Sequence, residues 1–300
     1  MPGAGMRVSS EAAGRWLVLA AAVLWGTTGT AQAFAPAGAE PETVGAVRIA
    51  LGGAALLAFA FFSGSLRTGG HRWTRPATAV AAGAIAAYQI CFFNGVALTG
   101  VAAGTIVAIG SAPVFGGLLG FLFRGERPGA RWAAATVLAV LGCGLLVGAG
   151  GGITVDAAGV LLALGAGLSY AAYATASKRL LDVIPSVTVV AVTFSLGGVL
   201  LSPFLLAGDL SWVVEPRGTA VALHLGLVAT AVAYLLFGRG LGYIPVATAA
   251  TLSLAEPLTA GFLGVLVLGE RLTGPALLGS GLLLAGLVLL TVRRKSAPGG

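Results

Sequence analysis

One apolar segment occurs twice in the chain, first as Pro113-Val-Phe-Gly-Gly-Leu-Leu-Gly-Phe-Leu-Phe-Arg-Gly-Glu126-Arg127 and again, 144 residues later, as Pro257-Leu-Thr-Ala-Gly-Phe-Leu-Gly-Val-Leu-Val-Leu-Gly-Glu270-Arg271. Proline, glutamate and arginine keep their spacing in both copies, and chance similarity between two apolar segments would not preserve all three. The register extends upstream, because Leu51-Gly52-Gly53 matches Leu196-Gly197-Gly198 at an offset of 145 residues. The chain is therefore built from a duplicated unit.

The composition places this duplicated unit in a membrane. Apolar residues make up 57% of the 300 residues and charged residues only 9%, with a mean hydropathy of +0.98. A soluble domain has roughly a quarter of its residues charged, so this chain cannot cover a water-facing surface. Since about 20 mainly apolar residues span the bilayer core as a helix, we predict an all-α polytopic membrane protein with ten transmembrane helices. These predicted spans are residues 16–35, 43–62, 77–97, 102–123, 130–149, 157–177, 187–207, 218–238, 246–268 and 274–292.

The basic residues are distributed unevenly between the two predicted faces. With the N-terminus in the cytoplasm, the outer loops hold only Arg217 and Arg271, and Arg48 lies within a span. Cytoplasmic loops of membrane proteins are enriched in lysine and arginine, so both termini are predicted to be cytoplasmic. The net charge of +7 thus reflects membrane topology and does not indicate nucleic-acid binding. The cytoplasmic basic residues are Arg7, Arg15, Arg67, Arg72, Arg75, Arg124, Arg127, Arg131, Lys178, Arg179, Arg239, Arg293, Arg294 and Lys295.

The number of spans in each unit determines how the two units are related. We place the first unit at residues 1–150 and the second at residues 151–300, with five predicted spans each. Because five is odd, the second copy must enter the membrane from the opposite side. Inverted repeats of this kind occur in secondary transporters, whose substrate sites lie near the bilayer midplane where the repeats meet.

Several motifs resemble those of one known family. They are Leu24-Trp25-Gly26-Thr27, Arg48 early in the second span, Pro113 in the fourth, and Ala255-Glu256-Pro257 with Leu268-Gly269-Glu270-Arg271-Leu272-Thr273 in the ninth. In order, spacing and duplication the chain resembles the EamA family of the drug/metabolite transporter superfamily over residues 15–293, and within that family the amino-acid exporters of the YddG type. The resemblance implies ten helices in two inverted five-helix repeats, a central substrate cavity and alternating access.

Two predicted helices present the same kind of polar and aromatic face. The residues concerned follow i, i+3, i+7 spacing, which aligns them on one side of a helix. Unpartnered polar groups are unfavourable in lipid, so these faces are expected to line a cavity, although hydrogen bonds between helices or a tryptophan in the interfacial belt would explain them too. They are Trp25, Thr28 and Gln32 on the first helix and, 145 residues later, Tyr170, Tyr173 and Ser177 on the sixth.

The third and eighth predicted helices add further candidates. Tyr88 and Phe92 are one turn apart and, with Tyr234, would complete an aromatic cavity suited to a small amphiphilic ligand. His224 lies near the outer start of its span, where it is either an interfacial residue or, facing the cavity, a group that handles protons. Pro113 and Pro257 mark matched helix bends, either hinges for movement or fixed kinks.

Two charged residues lie within apolar spans, where each is unfavourable by roughly 2.5–3.5 kcal/mol at the helix centre. Arg48 lies about one turn inside the second span, where it either reaches the outer headgroups or a broken helix end, or attracts a substrate carboxylate. Glu256 lies near the middle of the ninth span and is the candidate for coupling protons to transport, unless it makes a structural bond. Glu126 and Glu270 are interpreted as parts of helix turns.

The sequence favours a transporter over other classes. It has no spacing typical of an enzyme centre, a metal site, a nucleotide loop or another cofactor site, and Cys91 and Cys143 lie within predicted helices as small packing residues. We predict a secondary transporter that exports amino acids or related small metabolites from a bacterial cell through the inner membrane, with a monomer compatible with the sequence. Proton-coupled efflux of cationic drugs is the alternative within transport, and a passive channel is the alternative outside it.

Overall fold

The computed structural model describes residues 4–66, 73–148, 156–269 and 273–291, and all regular structure in these ranges is helical. The repeated turn at Glu270 and Arg271 lies outside the described residues, as do the basic residues Arg67 and Arg72 and residues 293–295. Eight described helical stretches are long and apolar enough to cross a membrane. They are Pro41–Phe62, Arg75–Thr99, Gly104–Arg124, Ala130–Gly148, Ala157–Leu181, Pro216–Tyr243, Val246–Leu268 and Gly274–Thr291.

The first half of the chain forms five long helices. They are α1 (Ala4–Ala33), α2 (Pro41–Phe62), α3 (Arg75–Thr99), α4 (Val101–Arg124) and α5 (Ala130–Gly148). Four of them match the predicted spans within two residues at each end. Helix α1 differs, because it begins at Ala4, well before the predicted start at residue 16. The polar residues of its last two turns make it less apolar than the eight stretches above.

The second half follows the same order with more interruptions. It begins with α6 (Ala157–Leu181) and ends with α14 (Gly274–Thr291). The elements between them are α7 (Ser186–Leu200), α8 (Ser202–Ala207), α9 (Ser211–Val214), α10 (Pro216–Leu223), a π-helix (His224–Val232), α11 (Ala233–Tyr243), α12 (Val246–Leu252) and α13 (Ala255–Leu268).

Three of the predicted spans in this half are less regular than a single continuous α-helix. The span predicted at 187–207 ends as α7 at Leu200 and continues as the short α8, which has Pro203 in its first turn. The span predicted at 246–268 is interrupted at Ser253 and Leu254, between α12 and α13. The span predicted at 218–238 is helical throughout, but its central nine residues form a π-helix.

Glycines allow the helices to approach one another closely, as expected where no hydrophobic force acts between helices in lipid. On α5 a Cβ added to Gly142 would lie 2.6 Å from the carbonyl oxygen of Gly279 on α14. The same interface includes Gly286, where an added Cβ would lie 2.6 Å from the carbonyl oxygen of Ala135. Helices α5 and α14 therefore meet backbone to backbone, and each is the last helix of its half.

Contacts with the end of α11 show the relative directions of α1 and α6. The start of α1 lies against the end of α11, because a Cβ on Gly14 would be 2.8 Å from Cβ of Tyr243. The end of α6 lies at the same place, since Lys178 Nζ donates to the carbonyl oxygens of Leu241, at 2.9 Å, and Ile244. Helix α6 is 25 residues long, about 37 Å at 1.5 Å per residue, so its start lies at the far end of the bundle. Helices α1 and α6 therefore run in opposite directions.

Candidate functional site

Six aromatic side chains from four helices pack together where α1, α6, α7 and α11 meet. The ring centroids of Trp25 and Tyr234 are 4.9 Å apart, and those of Phe194 and Tyr234 are 4.2 Å apart. Separations of this size are typical of favourable aromatic pairs. We call this group the aromatic cluster, and its members are Trp25, Tyr170, Tyr173, Phe194, Tyr234 and Phe237.

The two predicted polar faces touch at one point of this cluster. Trp25 and Tyr170, which occupy equivalent positions in the two halves, meet edge to face with their ring centroids 6.4 Å apart. Because α1 and α6 are antiparallel, the remaining residues of the two faces diverge from this contact. Thr28 and Gln32 are half-buried towards the end of α1, and Tyr173 and Ser177 are buried towards the end of α6. The structure thus brings Trp25, Tyr170 and Tyr173 into the aromatic cluster, whereas Thr28 and Gln32 are not part of it.

Three hydroxyl groups of α6 differ in their hydrogen bonding. Ser253, at the break between α12 and α13, donates to the carbonyl oxygen of Ala249 at 3.0 Å. Its oxygen therefore accepts the hydrogen bond from the Tyr170 hydroxyl, at 2.7 Å. In contrast, the Tyr173 hydroxyl and Ser177 Oγ lie near each other but are buried without a hydrogen bond of regular geometry. The break in the ninth span is thus tied to the aromatic cluster through Tyr170.

Arg48 and Glu256 lie beside this cluster. The guanidinium group of Arg48 and the carboxyl group of Glu256 interact electrostatically with each other, and both interact with Tyr88 and Tyr234. Within the described residues neither side chain makes a hydrogen bond or salt bridge, and Arg48 Nε is inaccessible to solvent. Arg48 is two turns inside α2, not the one turn expected, because α2 begins at Pro41.

The surroundings of Glu256 indicate an internal space. Its carboxyl group and the hydroxyl groups of Tyr88, Tyr170 and Tyr234 are deeply surrounded by protein atoms. All four side chains nevertheless keep accessible surface. Each of the three tyrosines interacts electrostatically with Glu256. The polar groups of α3, α6, α11 and α13 therefore meet beside Glu256, and we call the region between these four side chains the internal space.

Phe92 lies outside the aromatic cluster. It stacks on Tyr88, with the ring centroids 5.6 Å apart and the planes inclined by 6°. Both rings pack beside a buried alanine group that α4 and α6 contribute, which includes Ala108 and Ala163. Tyr88 interacts electrostatically with Arg48 and Glu256, whereas Phe92 packs on the alanine residues of α4 and α6.

His224 lines a cleft at one end of the bundle. Thr27 Oγ1 donates to the carbonyl oxygen of Leu24, so it accepts the hydrogen bond from His224 Nε2 at 2.8 Å. The sequence left two roles open for His224, as an interfacial residue or as a group that handles protons. The hydrogen bond to Thr27 is compatible with both roles. The cleft has a volume of about 390 Å³ and is lined by Thr27, Thr30, Ala31, Phe34, Arg217, Ala220, Val221, His224 and Leu263.

The opposite end of the bundle is closed by polar contacts. Glu126 Oε2 accepts from the backbone N–H of Val246 at 2.8 Å, which caps the start of α12. Arg124 at the end of α4 pairs with Asp182 at the end of α6, with N–O distances of 2.5 and 3.1 Å. Together with the bonds of Lys178 to the end of α11, these contacts join four helices. We call this group of Arg124, Glu126, Lys178 and Asp182 the polar latch.

The two predicted bend prolines differ in their surroundings. Pro113 lies inside α4, which continues through it from Val101 to Arg124. Pro257 lies in the first turn of α13, where a backbone N–H has no helical partner in any case. The matched bends predicted from the sequence are therefore not equivalent, because only the second proline follows a break in the helix.

Sequence reasoning missed several residues of the site. Phe237 follows Tyr234 by one helical turn, so the spacing that identified the other stripes would have identified it. Phe194 lies in an apolar run without a polar neighbour on its face, and no local signal distinguishes it. Ser253 and Lys178 act through partners more than 60 residues away in sequence, which only the three-dimensional structure brings together.

Comparison with known proteins shows the family to which the chain belongs. Residues 12–148 and, separately, 157–292 match the profile described as "EamA-like transporter family". The chain is 46% identical over 256 residues to the "Uncharacterized transporter YwfM" of Bacillus subtilis, covering 85% of this chain and 86% of that protein. It is also 36% identical over 159 residues to the "Threonine/homoserine exporter RhtA" of Salmonella typhimurium, covering 51% of each. A crystal structure of 22% identity shares the fold, with a TM-score of 0.80 over 93% of this chain and 96% of that one.

Proposed function

We propose that this chain, which belongs to the EamA-like transporter family, is a secondary transporter that exports amino acids or related small metabolites across a bacterial inner membrane. The observation that carries the proposal is the position of Arg48, Glu256 and the aromatic cluster around one internal space. A few polar groups in an otherwise apolar pocket are typical of small-molecule sites. The residues that would contact the substrate are Trp25, Tyr88, Tyr170 and Tyr234 with the two charged side chains.

The proposed topology has ten spans and two inverted repeats at residues 1–150 and 151–300. Helix α1 and the interrupted pair α7–α8 would add two spans to the eight long apolar stretches. The opposite directions of α1 and α6 support the inversion, as does the separate match of each half to the family. The position of Arg15, which donates to the carbonyl oxygen of Leu290 at 2.8 Å, supports an even number of spans. With the predicted excess of basic residues inside, both termini would be cytoplasmic.

This topology assigns the two ends of the bundle to the two sides of the membrane. The polar latch would close the cytoplasmic end, and the cleft at His224 would face outwards. Transport by alternating access would then require the latch to open while the cleft closes. Helices α4, α6, α11 and α12 would separate at the cytoplasmic end, because the latch joins these four.

Two observations favour amino acids as the substrate class. The relative RhtA is described as a threonine/homoserine exporter, and the chain matches about half of its length. The internal space also holds one basic and one acidic side chain. The resemblance to YddG-type exporters, predicted from the sequence, also favours amino acids as the substrate class.

We assign proton coupling to Glu256. The Glu256 carboxyl group makes no hydrogen bond or salt bridge with the described residues, so it is available to bind a proton or a cationic group in turn. The charged and titratable groups that face it are Arg48 from α2, Tyr88 from α3, Cys143 from α5, Tyr170 from α6 and Tyr234 from α11.

Counterflow in proteoliposomes tests the proposed function. Vesicles loaded with one unlabelled amino acid are mixed with a trace of the same labelled amino acid, and the twenty are screened in turn. A carrier accumulates label transiently and saturably, whereas a passive channel only equilibrates it. Failure to accumulate any amino acid would refute the substrate class. Equilibration without accumulation would indicate a channel.

Efflux of cationic drugs is a second candidate, because Glu256 lies beside aromatic rings that suit an organic cation. In that case Glu256→Gln abolishes ethidium efflux from vesicles with an imposed pH gradient. Under the amino-acid proposal the unsubstituted protein does not move ethidium, and counterflow of an amino acid persists in Glu256→Gln.

A further inference from the structure

We propose that Arg48 and Glu256 form a two-point site that binds one zwitterionic α-amino acid, with its carboxylate on Arg48 and its ammonium group on Glu256. This inference rests on the proposed transport of amino acids and defines how the site recognises them. It also predicts which chemical derivatives of an amino acid the protein rejects.

The first support is that neither charged group has a hydrogen-bonding partner among the described residues. Neither side chain makes a hydrogen bond or salt bridge in the described part of the chain, and Arg48 Nε is closed off from solvent. Charged groups within a membrane are rare and usually paired with each other or with the backbone. A buried donor without an acceptor is unfavourable. The ligand is therefore expected to supply the missing partners.

The second support is the separation of the two charges. The guanidinium and carboxyl groups are near enough to interact electrostatically, yet no N–O distance is within the 4.0 Å that defines a salt bridge. They therefore leave a gap between opposite charges. An α-amino acid carries an anionic and a cationic group on one carbon atom, so it would bridge such a gap with both charges matched.

A ligand with a single charge would fit less well. An organic cation would pair with Glu256 and leave Arg48 without an acceptor, and a carboxylic acid would leave Glu256 without a donor. Hydrogen bonds between ionised groups are about twice as strong as those between neutral groups, and arginine binds carboxylates through two parallel bonds. Both contacts together therefore select for the intact zwitterion.

The position of the two charges in the repeats adds a third argument. In the second repeat Thr193 stands at the position equivalent to Arg48, and it is buried and donates to the carbonyl oxygen of Val189 at 2.8 Å. In the first repeat Ala112 stands at the position equivalent to Glu256. Each charge thus occurs in one repeat only, and together they form a pair across the interface between the repeats. A ligand held at both points would therefore contact both repeats.

Competition by blocked amino acids tests the site without any substitution. The labelled probe is the amino acid that shows the strongest counterflow, beginning with L-threonine, and the competitors are its methyl ester and its N-acetyl derivative. The ester removes the carboxylate and acetylation removes the ammonium group. Each derivative should compete at least about tenfold more weakly than the intact amino acid, the effect of one lost charged hydrogen bond. Equal competition by either derivative would overturn the two-point site while leaving amino-acid transport intact.

Two variants assign each charge to its group. In Arg48→Gln the preference for the free acid over the ester should fall to within about twofold, while the preference for the free amine over the N-acetyl derivative persists. In Glu256→Gln the preference for the free amine over the N-acetyl derivative should fall to within about twofold, while the preference for the free acid over the ester persists. A purely structural role would weaken all ligands alike. If Arg48→Gln binds the ester as strongly as the wild type does, this variant is folded. If Arg48→Gln does not fold, Arg48→Lys replaces it.

Matched controls use exposed residues of the same types. Arg239→Gln and Glu42→Gln change charges that lie on the protein surface, so both should discriminate as the unsubstituted protein does. Wild-type discrimination in Arg48→Gln or Glu256→Gln would contradict the assignment. Complete absence of amino-acid counterflow in the unsubstituted protein would refute the proposed function itself, and the two failures are therefore distinguishable.

Discussion

The two halves of the molecule descend from one sequence unit but differ in regularity. In the first half, α2, α3 and α4 are continuous, and α4 passes through Pro113 without a break. In the second half the equivalent spans are interrupted in three ways: by the junction of α7 and α8, by the π-helix His224–Val232, and by the break at Ser253 and Leu254.

Two of these interruptions adjoin the internal space. Tyr234 follows the π-helix by two residues, and Ser253 bonds to Tyr170 of the aromatic cluster. Irregular backbone within a membrane is tolerated only where protein or a polar cavity satisfies the freed groups, and π-helical segments often occur at functional sites. Near the site the first repeat therefore contributes regular helices, and the second contributes most of the irregular backbone.

The largest expected effect concerns an interface to which both repeats contribute equally. Gly142 of α5 and Gly286 of α14 occupy equivalent positions and lie against the backbone of the partner helix. Valine at either position would force the helices apart, and overpacking of this kind costs about 1–3 kcal/mol or more. We expect both variants to lose most of the folded protein on size-exclusion chromatography in detergent. Gly281→Val is the control, because nothing lies within 4 Å of a Cβ there.

A second prediction concerns the divergence of the repeats at the site. Glu256→Ala gives the second repeat the residue that the first has at Ala112. We expect amino-acid uptake driven by a pH gradient to fall at least about tenfold, since one charged contact and the proposed proton carrier are lost. Melting temperature in detergent should not fall. Retention of gradient-driven transport would contradict the assignment of coupling to Glu256.

A third prediction compares the interrupted with the regular helix. In the π-helix, Thr230 Oγ1 donates to the carbonyl oxygen of Leu225 at 2.8 Å, whereas Thr193 makes the equivalent kind of bond inside the regular α7. Each carbonyl also accepts from a backbone N–H, five residues on in the π-helix and four residues on in α7, so the two buried hydroxyl groups make the same kind of bond. Thr193→Val and Thr230→Val should therefore lower the free energy of unfolding alike, by about 0.5–1.5 kcal/mol each. Thermal unfolding in the same detergent compares the two, and a loss confined to Thr230→Val would contradict this equivalence.

The smallest effect is expected at the polar latch. Arg124 and Asp182 are the partly exposed ion pair of this group, and exposed pairs contribute about 0–1 kcal/mol. Arg124→Gln should therefore shift the balance towards cytoplasmic opening by no more than about fivefold. The rate at which a cysteine introduced at Ser253 reacts with a reagent from the cytoplasmic side measures this shift. Lys178→Met is tested in the same way. If the reaction rate of the cysteine is unchanged in Arg124→Gln and slower than wild type in Lys178→Met, the polar latch does not close this end.

The sequence predicted long apolar helices well and their interruptions poorly. Spans such as α2 and α5 could be predicted because the length and apolarity of a segment can be read directly from its own sequence. The break at Ser253 and Leu254 has a local cause in Pro257, which has no N–H to donate to the carbonyl oxygen of Ser253 four residues earlier. The equivalent Pro113 lies in an unbroken helix, so the sequence could not show which of the two prolines accompanies a break. The π-helix has no local signal in its apolar sequence.

The site was predictable where its residues follow helical spacing. Trp25 and Tyr170 were identified as equivalent positions, and the structure brings them into contact. Thr28 and Gln32 share a face with Trp25 but are carried away from the cluster by the direction of α1. Arg48 and Glu256 were identified separately as charges in apolar spans. Their proximity could not be predicted, because it depends on how α2 and α13 pack across the repeats.

Cysteine labelling from the two sides of the membrane tests most directly whether the second repeat is inverted. In a protein with Cys91→Ala and Cys143→Ala, single cysteines are introduced at Arg127, the last residue of the first repeated segment, and at Thr273, two residues after the second. With inverted repeats, a membrane-impermeant maleimide added outside intact cells should label Thr273→Cys and not Arg127→Cys, and cell lysis should expose Arg127→Cys. Labelling of both positions from the same side would contradict the inversion and the site built on it.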